Sequence, residues 1–411
     1  MAISAALDRV SLGKIVVIRE QLMKAQAAGK TVYRLESGDP SFSIAPHVLA
    51  ALEQAAEAGK THYVPNDGIP QLRKAVWQKL RTKNGIALPS HEDVFITNGA
   101  MHALYVTFAC LLDDRDEVIV PDPMWTEVVE NIRLAGGVPV GIPLKFARGY
   151  EYDLDDIRAR ITPKTKAIFL NTPHNPTGAV LSKDTLLGIA ALAERHDLWI
   201  IADEAYEDVI YAPHTHHSIA ALAPQLLDRI VSIYSFSKTY AMSGLRIGCI
   251  ATPSAALKAR IPKLLRCTIN GVNSVAQWAA LAAVEGPQDQ LETMRQEYLA
   301  RREMLTGALT GIDGLRFMTP RGGFCLWVEL EPALYARLGV KDADELSAQL
   351  AEAGIGSAPG DAFGEHCHDA TRFAFSCDTA MVRDGAAALR KYFARAGVTA
   401  TADANTETVG R

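Results

Sequence analysis

Short apolar runs rich in β-branched residues recur along the chain, and each breaks off at a polar turn. They are Val94-Phe95-Ile96-Thr97, Glu117-Val118-Ile119-Val120, Lys166-Ala167-Ile168-Phe169-Leu170, Leu198-Trp199-Ile200-Ile201-Ala202 and Ile230-Val231-Ser232-Ile233-Tyr234. Helical segments such as Leu186 to His196 lie between them. This alternation admits few folds. It predicts an α/β protein whose sheet is mainly parallel and covered by helices on both faces. In such sheets ligands bind beyond the C-terminal ends of the strands. Gly99, Ala100 and Met101 open the helix after the first run, and Trp125 follows the second. Asn175 follows the third, Asp203 and Tyr206 the fourth, and Ser235, Ser237 and Lys238 the fifth. Each alone also suits an ordinary loop or core position; several such groups at one rim describe a site.

The chemistry concentrates in Ser235-Phe236-Ser237-Lys238-Thr239-Tyr240-Ala241-Met242-Ser243-Gly244-Leu245-Arg246. A lysine amine condenses with an aldehyde once its surroundings lower its pKa from the free value of about 10.4. The Ser235 and Ser237 hydroxyls and the Arg246 guanidinium suit a dianionic phosphate. Asn98-Gly99-Ala100 adds a glycine turn and a helix N-terminus, whose free N–H groups attract anions. Aldehyde chemistry beside a phosphate grip points to pyridoxal 5'-phosphate. A surface loop with an ordinary lysine and arginine is the other reading of this stretch. Trp125 reads either as a platform for a planar ligand or as a cap on the core.

The remainder divides by its patterning. Up to about Lys30, Ile15, Val16, Ile18, Leu22 and Met23 recur on one side of an expected helix. A turn follows at Ser37-Gly38-Asp39-Pro40, then a helix over 46–60, then Tyr63 and a helix whose first turn holds Pro70. From about residue 285 a charged helix, strand-like Gly323 to Val328, a helix over 343–353 and strand-like Thr371 to Ser376 read as a smaller α+β domain. The expected division is a large domain over 46–284, a small domain from 1–45 and 285–396, and a disordered tail over 397–411.

A length of 411 residues with 48% hydrophobic side chains is ample for a sizeable core. A net charge of -5 offers no footprint for nucleic acid, and no apolar run is long enough to span a bilayer. The first residues lack the layout of a secretory signal. Six scattered cysteines without a CxxC pair read as reduced thiols of a cytoplasmic protein. His214-Thr215-His216-His217 and His366-Cys367-His368 lack metal-ligand spacing and read as solvated loop histidines, so no metal is expected.

With these motifs in order, the chain resembles the fold-type I, class I/II aminotransferases, which use pyridoxal phosphate. The resemblance runs from about residue 12 to 395. It rests on Gly38-Asp39-Pro40, Tyr63 with Gly68-Ile69-Pro70 and Leu72-Arg73, Asn175-Pro176-Thr177-Gly178, Asp203-Glu204-Ala205-Tyr206, Ser235-x-Ser237-Lys238 with Arg246, and Arg372. It implies that Lys238 carries the cofactor, Asp203 pairs with the ring nitrogen, and Tyr206 and Asn175 bond the ring's phenolic oxygen. It places Trp125 on the ring, and Ser235, Ser237, Arg246 and the backbone at Gly99, Ala100 and Met101 on the phosphate. Arg372 and Gly38, with Asn175 and Trp125 alongside, would hold the substrate. Tyr63 would reach the phosphate of a neighbouring subunit, implying a homodimer with shared sites. The implied reaction moves the amino group of an L-amino acid to a 2-oxo acid, ping-pong, through pyridoxamine phosphate. The same grip also serves C–S β-lyases, decarboxylases and oxidases, the alternative. A regulator fused to a DNA-binding module is the non-catalytic alternative, and a match beginning near residue 12 speaks against it. Met101, Cys249 and Asp361 depart from the common pattern, where relatives often carry a polar, an aromatic and a small residue.

Overall fold

The computed structural model describes residues 5–395; the expected tail over 397–411 lies outside them. Strands β1 (Val94–Thr97), β2 (Glu117–Asp122), β3 (Val138–Pro143), β4 (Thr165–Asn171), β5 (Trp199–Asp203), β6 (Ile230–Ser235) and β7 (Gly248–Ala251) form one sheet. Their order is β1-β7-β6-β5-β4-β2-β3. Neighbours from β6 to β3 are parallel, and β7 runs antiparallel to both β6 and β1. The expected mainly parallel sheet is therefore present, with one reversed strand.

The two-residue period of a strand explains why these segments are apolar throughout. Ile168, Leu170, Ile200, Ala202 and Ile230 pack into one buried cluster. Their alternating neighbours Ala167, Phe169, Ile201, Val231 and Ile233 pack into another, on the opposite face. Both faces are dry, so both sets of side chains must be apolar. Each such Val, Leu, Ile or Phe contributes about 1.5–3 kcal/mol on burial.

Two strands of this sheet escaped the sequence reading. β3 contains Pro139 and Pro143, which lack a ladder donor, and it lies at the sheet edge where that is tolerated. β7 is only Gly248-Cys249-Ile250-Ala251. Gly248 is required there, because a Cβ would stand 2.6 Å from the Ala100 backbone nitrogen.

A second sheet joins β8 (Leu315–Phe317), β9 (Cys325–Leu330), β10 (Ala358–Pro359) and β11 (Ala370–Ala374) in the order β10-β11-β9-β8, antiparallel throughout. The helices Asp289–Leu309 and Thr379–Ala394 pack together against it. The segment after the first helix joins this part: Tyr33 bridges to Ile355, and Leu35 is buried in its core. That first helix, Lys14–Ala27, buries Ile18 and Leu22 but leaves Val16 and Met23 exposed, so the expected apolar side is only half used. No helix among the described residues is long and apolar enough to cross a membrane.

Candidate active site

The C-terminal ends of β4, β5 and β6 build the centre. Asn171 and Asp203 end their strands as register partners. The Asn171 amide donates to the Asp203 carbonyl (3.1 Å), while its Oδ1 accepts the Asn175 N–H (2.9 Å). One side chain thus fixes the loop that carries Asn175 to the strand that carries Asp203. Asp203 is 4% exposed and accepts the Ala205 N–H at 3.0 Å. Burial raises its carboxyl to about 7. It has no ion-pair partner among the described residues, so it suits a cationic group placed opposite.

Lys238 stands on a single helical turn, Phe236–Thr239, that Ser235 Oγ caps by accepting the Ser237 N–H at 3.2 Å. Its Nζ donates to the Gly38 carbonyl at 2.7 Å and lies 5.6 Å from the centre of the Phe324 ring. Burial pushes the amine down to about 8. Asp203 feels the charge of Lys238, which partly offsets the burial cost of its carboxylate.

At the phosphate end, the helix Gly99–Leu111 begins with no side-chain cap on its free N–H groups. Arg246 approaches it from a left-handed backbone conformation (φ 57°), with Nη1 on the Ser243 carbonyl at 2.7 Å. Gly99, at φ +79°, has no room for a side chain: a Cβ would fall 2.3 Å from Arg246 Nη2. Uncapped amides facing a guanidinium across a bare glycine, with Ser235 and Ser237 buried nearby in sequence from Lys238, fit a phosphate group.

Arg372, from β11, is 4% exposed. Its Nη2 donates to the Glu36 carbonyl (2.5 Å) and Nη1 to Asn175 Oδ1 (3.3 Å), and its guanidinium lies 5.1 Å from the Phe363 ring centre. Nε is buried without a partner among the described residues. A buried cation with a donor to spare fits a carboxylate ligand. Tyr206 is buried with its ring edge-on to Phe324 at 5.2 Å. Burial holds its hydroxyl protonated, well above the usual range.

The side chains of Trp125, Met101 and Tyr63 make no hydrogen bond to this cluster among the described residues. Trp125 is half-buried against the sheet's second core and precedes the helix Thr126–Leu134. Met101 Sδ accepts from the Asn131 amide at 3.3 Å. Tyr63 is 89% exposed. Phe324, Cys325 and Asn171 belong to the cluster and went unread. The unbroken apolar run from Phe324 to Val328 and the strand-end position of Asn171 are the signals for them.

His216 needs a correction, whereas His366 and His368 do face solvent, with side chains 61% and 70% exposed. His216 is not solvated: its Nε2 meets Glu204 Oε2 at 3.0 Å with the side chain 9% exposed. The same buried carboxylate accepts from Ser218 (2.8 Å) and Tyr234 (3.0 Å). Burial pulls the His216 pKa down, but Glu204 outweighs it and holds the imidazole above its ordinary value. Glu207 beside them is already paired with Lys79. His366 meets Asp122 at 2.6 Å and His368 meets Asp361 at 2.5 Å. Asp122 lies far from His366 in sequence, so no local pattern announces that contact, whereas Asp361 sits in the same loop region as His368.

The profile of the family described as aminotransferase class I and II matches residues 30–389. The chain is 36% identical over 364 residues to an aspartate aminotransferase of Geobacillus stearothermophilus, covering 88% of this chain and 92% of that one. Among solved structures, the aspartate aminotransferase from Thermus thermophilus with maleate superposes with a TM-score of 0.88 at 30% identity, covering 95% of this chain and 100% of that one. The alanine aminotransferase from Pyrococcus furiosus gives 0.89 at 28% identity, covering 96% and 100%. The rim lysine facing a buried aspartate and the arginine fork beside them are thus set in a fold shared with these enzymes, and the chain belongs to the class I and II aminotransferases, pyridoxal-phosphate-dependent enzymes of fold type I.

Proposed function

We propose that the enzyme works as a cytoplasmic homodimer that moves the amino group of an L-amino acid, aspartate foremost, to a 2-oxo acid in two alternating half-reactions. The observation that carries this reading is the pair Lys238 and Asp203: both are buried, and burial draws the amine to about 8 and the carboxyl to about 7. A neutral fraction of amine at physiological pH is what a nucleophile and general base needs.

Bound pyridoxal phosphate supplies an electron sink that eases proton removal from the substrate's Cα. Lys238 Nζ is the base that takes that proton. Asp203 would hold a proton on the ring nitrogen, and Asn175 and Tyr206 would donate to the ring's phenolic oxygen. Trp125 would cover the ring; Ser235, Ser237, Arg246 and the amides of Gly99, Ala100 and Met101 would hold the phosphate. Arg372 grips the substrate carboxylate as a planar fork, with the Gly38 backbone beside it. Tyr63, a large aromatic at 89% exposure, is read as reaching the partner subunit's phosphate. The division into 46–284 and 1–45 with 285–396 follows the two sheets, whose cores meet across it: Trp327, Phe363 and Ala370 pack in the large sheet's core, and Tyr206 and Tyr211 in the small sheet's. Aspartate is favoured as donor because the Geobacillus and Thermus relatives carry that name.

An amino-donor screen with 2-oxoglutarate and with pyruvate tests the reading. Aspartate should be among the fastest donors. An amino acid given alone should yield one equivalent of 2-oxo acid per subunit and then stop. Continuous release of ammonia with pyruvate would instead mark elimination.

A further inference from the structure

We infer that Cys325 is a positioning residue: its thiol, together with Arg372, fixes which end of the Asn175 amide faces the cofactor. This rests on the reading of Asn175 as a donor to the cofactor's phenolic oxygen. Cys325 opens β9 opposite Ala374 of β11, and it is 2% exposed. Its Sγ lies 3.6 Å from Asn175 Oδ1, and Arg372 Nη1 lies 3.3 Å from the same oxygen. A guanidinium has donors only. Reversing the amide would set an NH2 group against the guanidinium and forfeit the thiol's S–H donation to Oδ1, so both contacts favour the orientation with Oδ1 inward. The Asn175 backbone cannot swing to compensate, because Asn171 holds its N–H and Pro176 follows it. Nδ2 has no protein partner among the described residues and is the end left to donate to a ligand.

Burial raises the thiol's pKa, so it stays protonated and keeps its donor. Arg372 already divides its donors between Glu36 and Asn175. A donor aimed at the phenolic oxygen stabilises negative charge there, and so lowers the pH at which the nitrogen linking lysine and cofactor loses its proton. Loosening Asn175 should raise that pH.

The test uses the holoenzyme without substrate and reads the pH midpoint of the cofactor's visible absorbance change. Cys325→Val and Cys325→Ala should raise the midpoint by about half a pH unit, while Cys325→Ser, which keeps a donor, should stay nearer the wild-type value. Asn175→Ala should raise it further. Circular dichroism and cofactor stoichiometry check that each variant is folded and loaded; the alanine variant serves if valine does not fold. A wild-type midpoint in both Cys325→Val and Cys325→Ala, with Asn175→Ala shifted, overturns the role of Cys325 alone. The same holds if Cys325→Ser moves as far as valine. No shift in Asn175→Ala overturns the reading of Asn175, and this inference with it.

Discussion

Gly99 and Arg246 leave no space between them: a Cβ on the glycine would stand 2.3 Å from Nη2 of the arginine. The close approach brings the guanidinium onto the free amides of the helix Gly99–Leu111. Gly99→Ala must push the guanidinium aside and also place a side chain at φ +79°, a strain of about 1–3 kcal/mol. We expect the variant to fold, with cofactor affinity reduced by about tenfold or more. Equilibrium dialysis against pyridoxal phosphate measures this. Unchanged affinity would remove Gly99 and Arg246 from the phosphate site.

Asp203 makes the cofactor-free protein pH-sensitive. Its folded pKa is raised from 3.8 to about 7, chiefly by burial. Its contribution to stability is therefore fully present below 3.8 and is lost as pH rises through about 7. Asp203→Asn removes the charge without removing the shape. In cofactor-free protein it should gain on wild type between pH 5 and pH 8 by roughly 2–4 °C in Tm. With cofactor loaded the sign should reverse, because the ring nitrogen loses its counter-charge. Thermal melts of both forms at both pH values check the crossing.

Arg372 separates fork geometry from charge. Arg372→Lys keeps the cation but loses the planar pair of donors. A lost hydrogen bond to a charged group costs about 1.5–3 kcal/mol, so kcat/KM should fall roughly 10- to 150-fold. Steady-state kinetics with several amino acids should show a similar loss for each, since all share the carboxylate.

Tyr63 tests the shared site. Cys325, Asn175 and Lys238 come from one chain, whereas Tyr63 is read as serving the other. Mixed dimers of Lys238→Ala and Tyr63→Ala subunits would contain one site with both residues intact. Activity after unfolding and refolding the two together should exceed the sum of the separate variants. Simple additivity would return Tyr63 to its own subunit's surface.

Much of this architecture could be read before any coordinates. Strands β4 to β6 announce themselves because both faces are buried and Ile, Val and Phe must fill both, and their polar ends mark the rim. β3 and β7 stay silent: prolines suit an edge but imitate a loop, and Gly248 is there for close backbone approach. Lys238 and Asp203 stand out because their chemistry is unusual in their local setting, whereas Arg372 is legible only through the family resemblance. The pairing of His216 with Glu204, of His366 with Asp122 and of Cys325 with Asn175 depends on contacts between distant segments, which no spacing encodes. Val16 and Met23 share a helix pattern with Ile18 and Leu22, but periodicity cannot say what a face packs against.

The central claim is that one amine, Lys238 Nζ, holds the cofactor's aldehyde carbon at the rim. Borohydride reduction of the loaded enzyme followed by proteolysis and mass spectrometry tests it directly. The account predicts one pyridoxyl group per chain, on the peptide containing Lys238, and none in Lys238→Ala. A reduced adduct on another lysine, or persistence of the adduct in that variant, would contradict it.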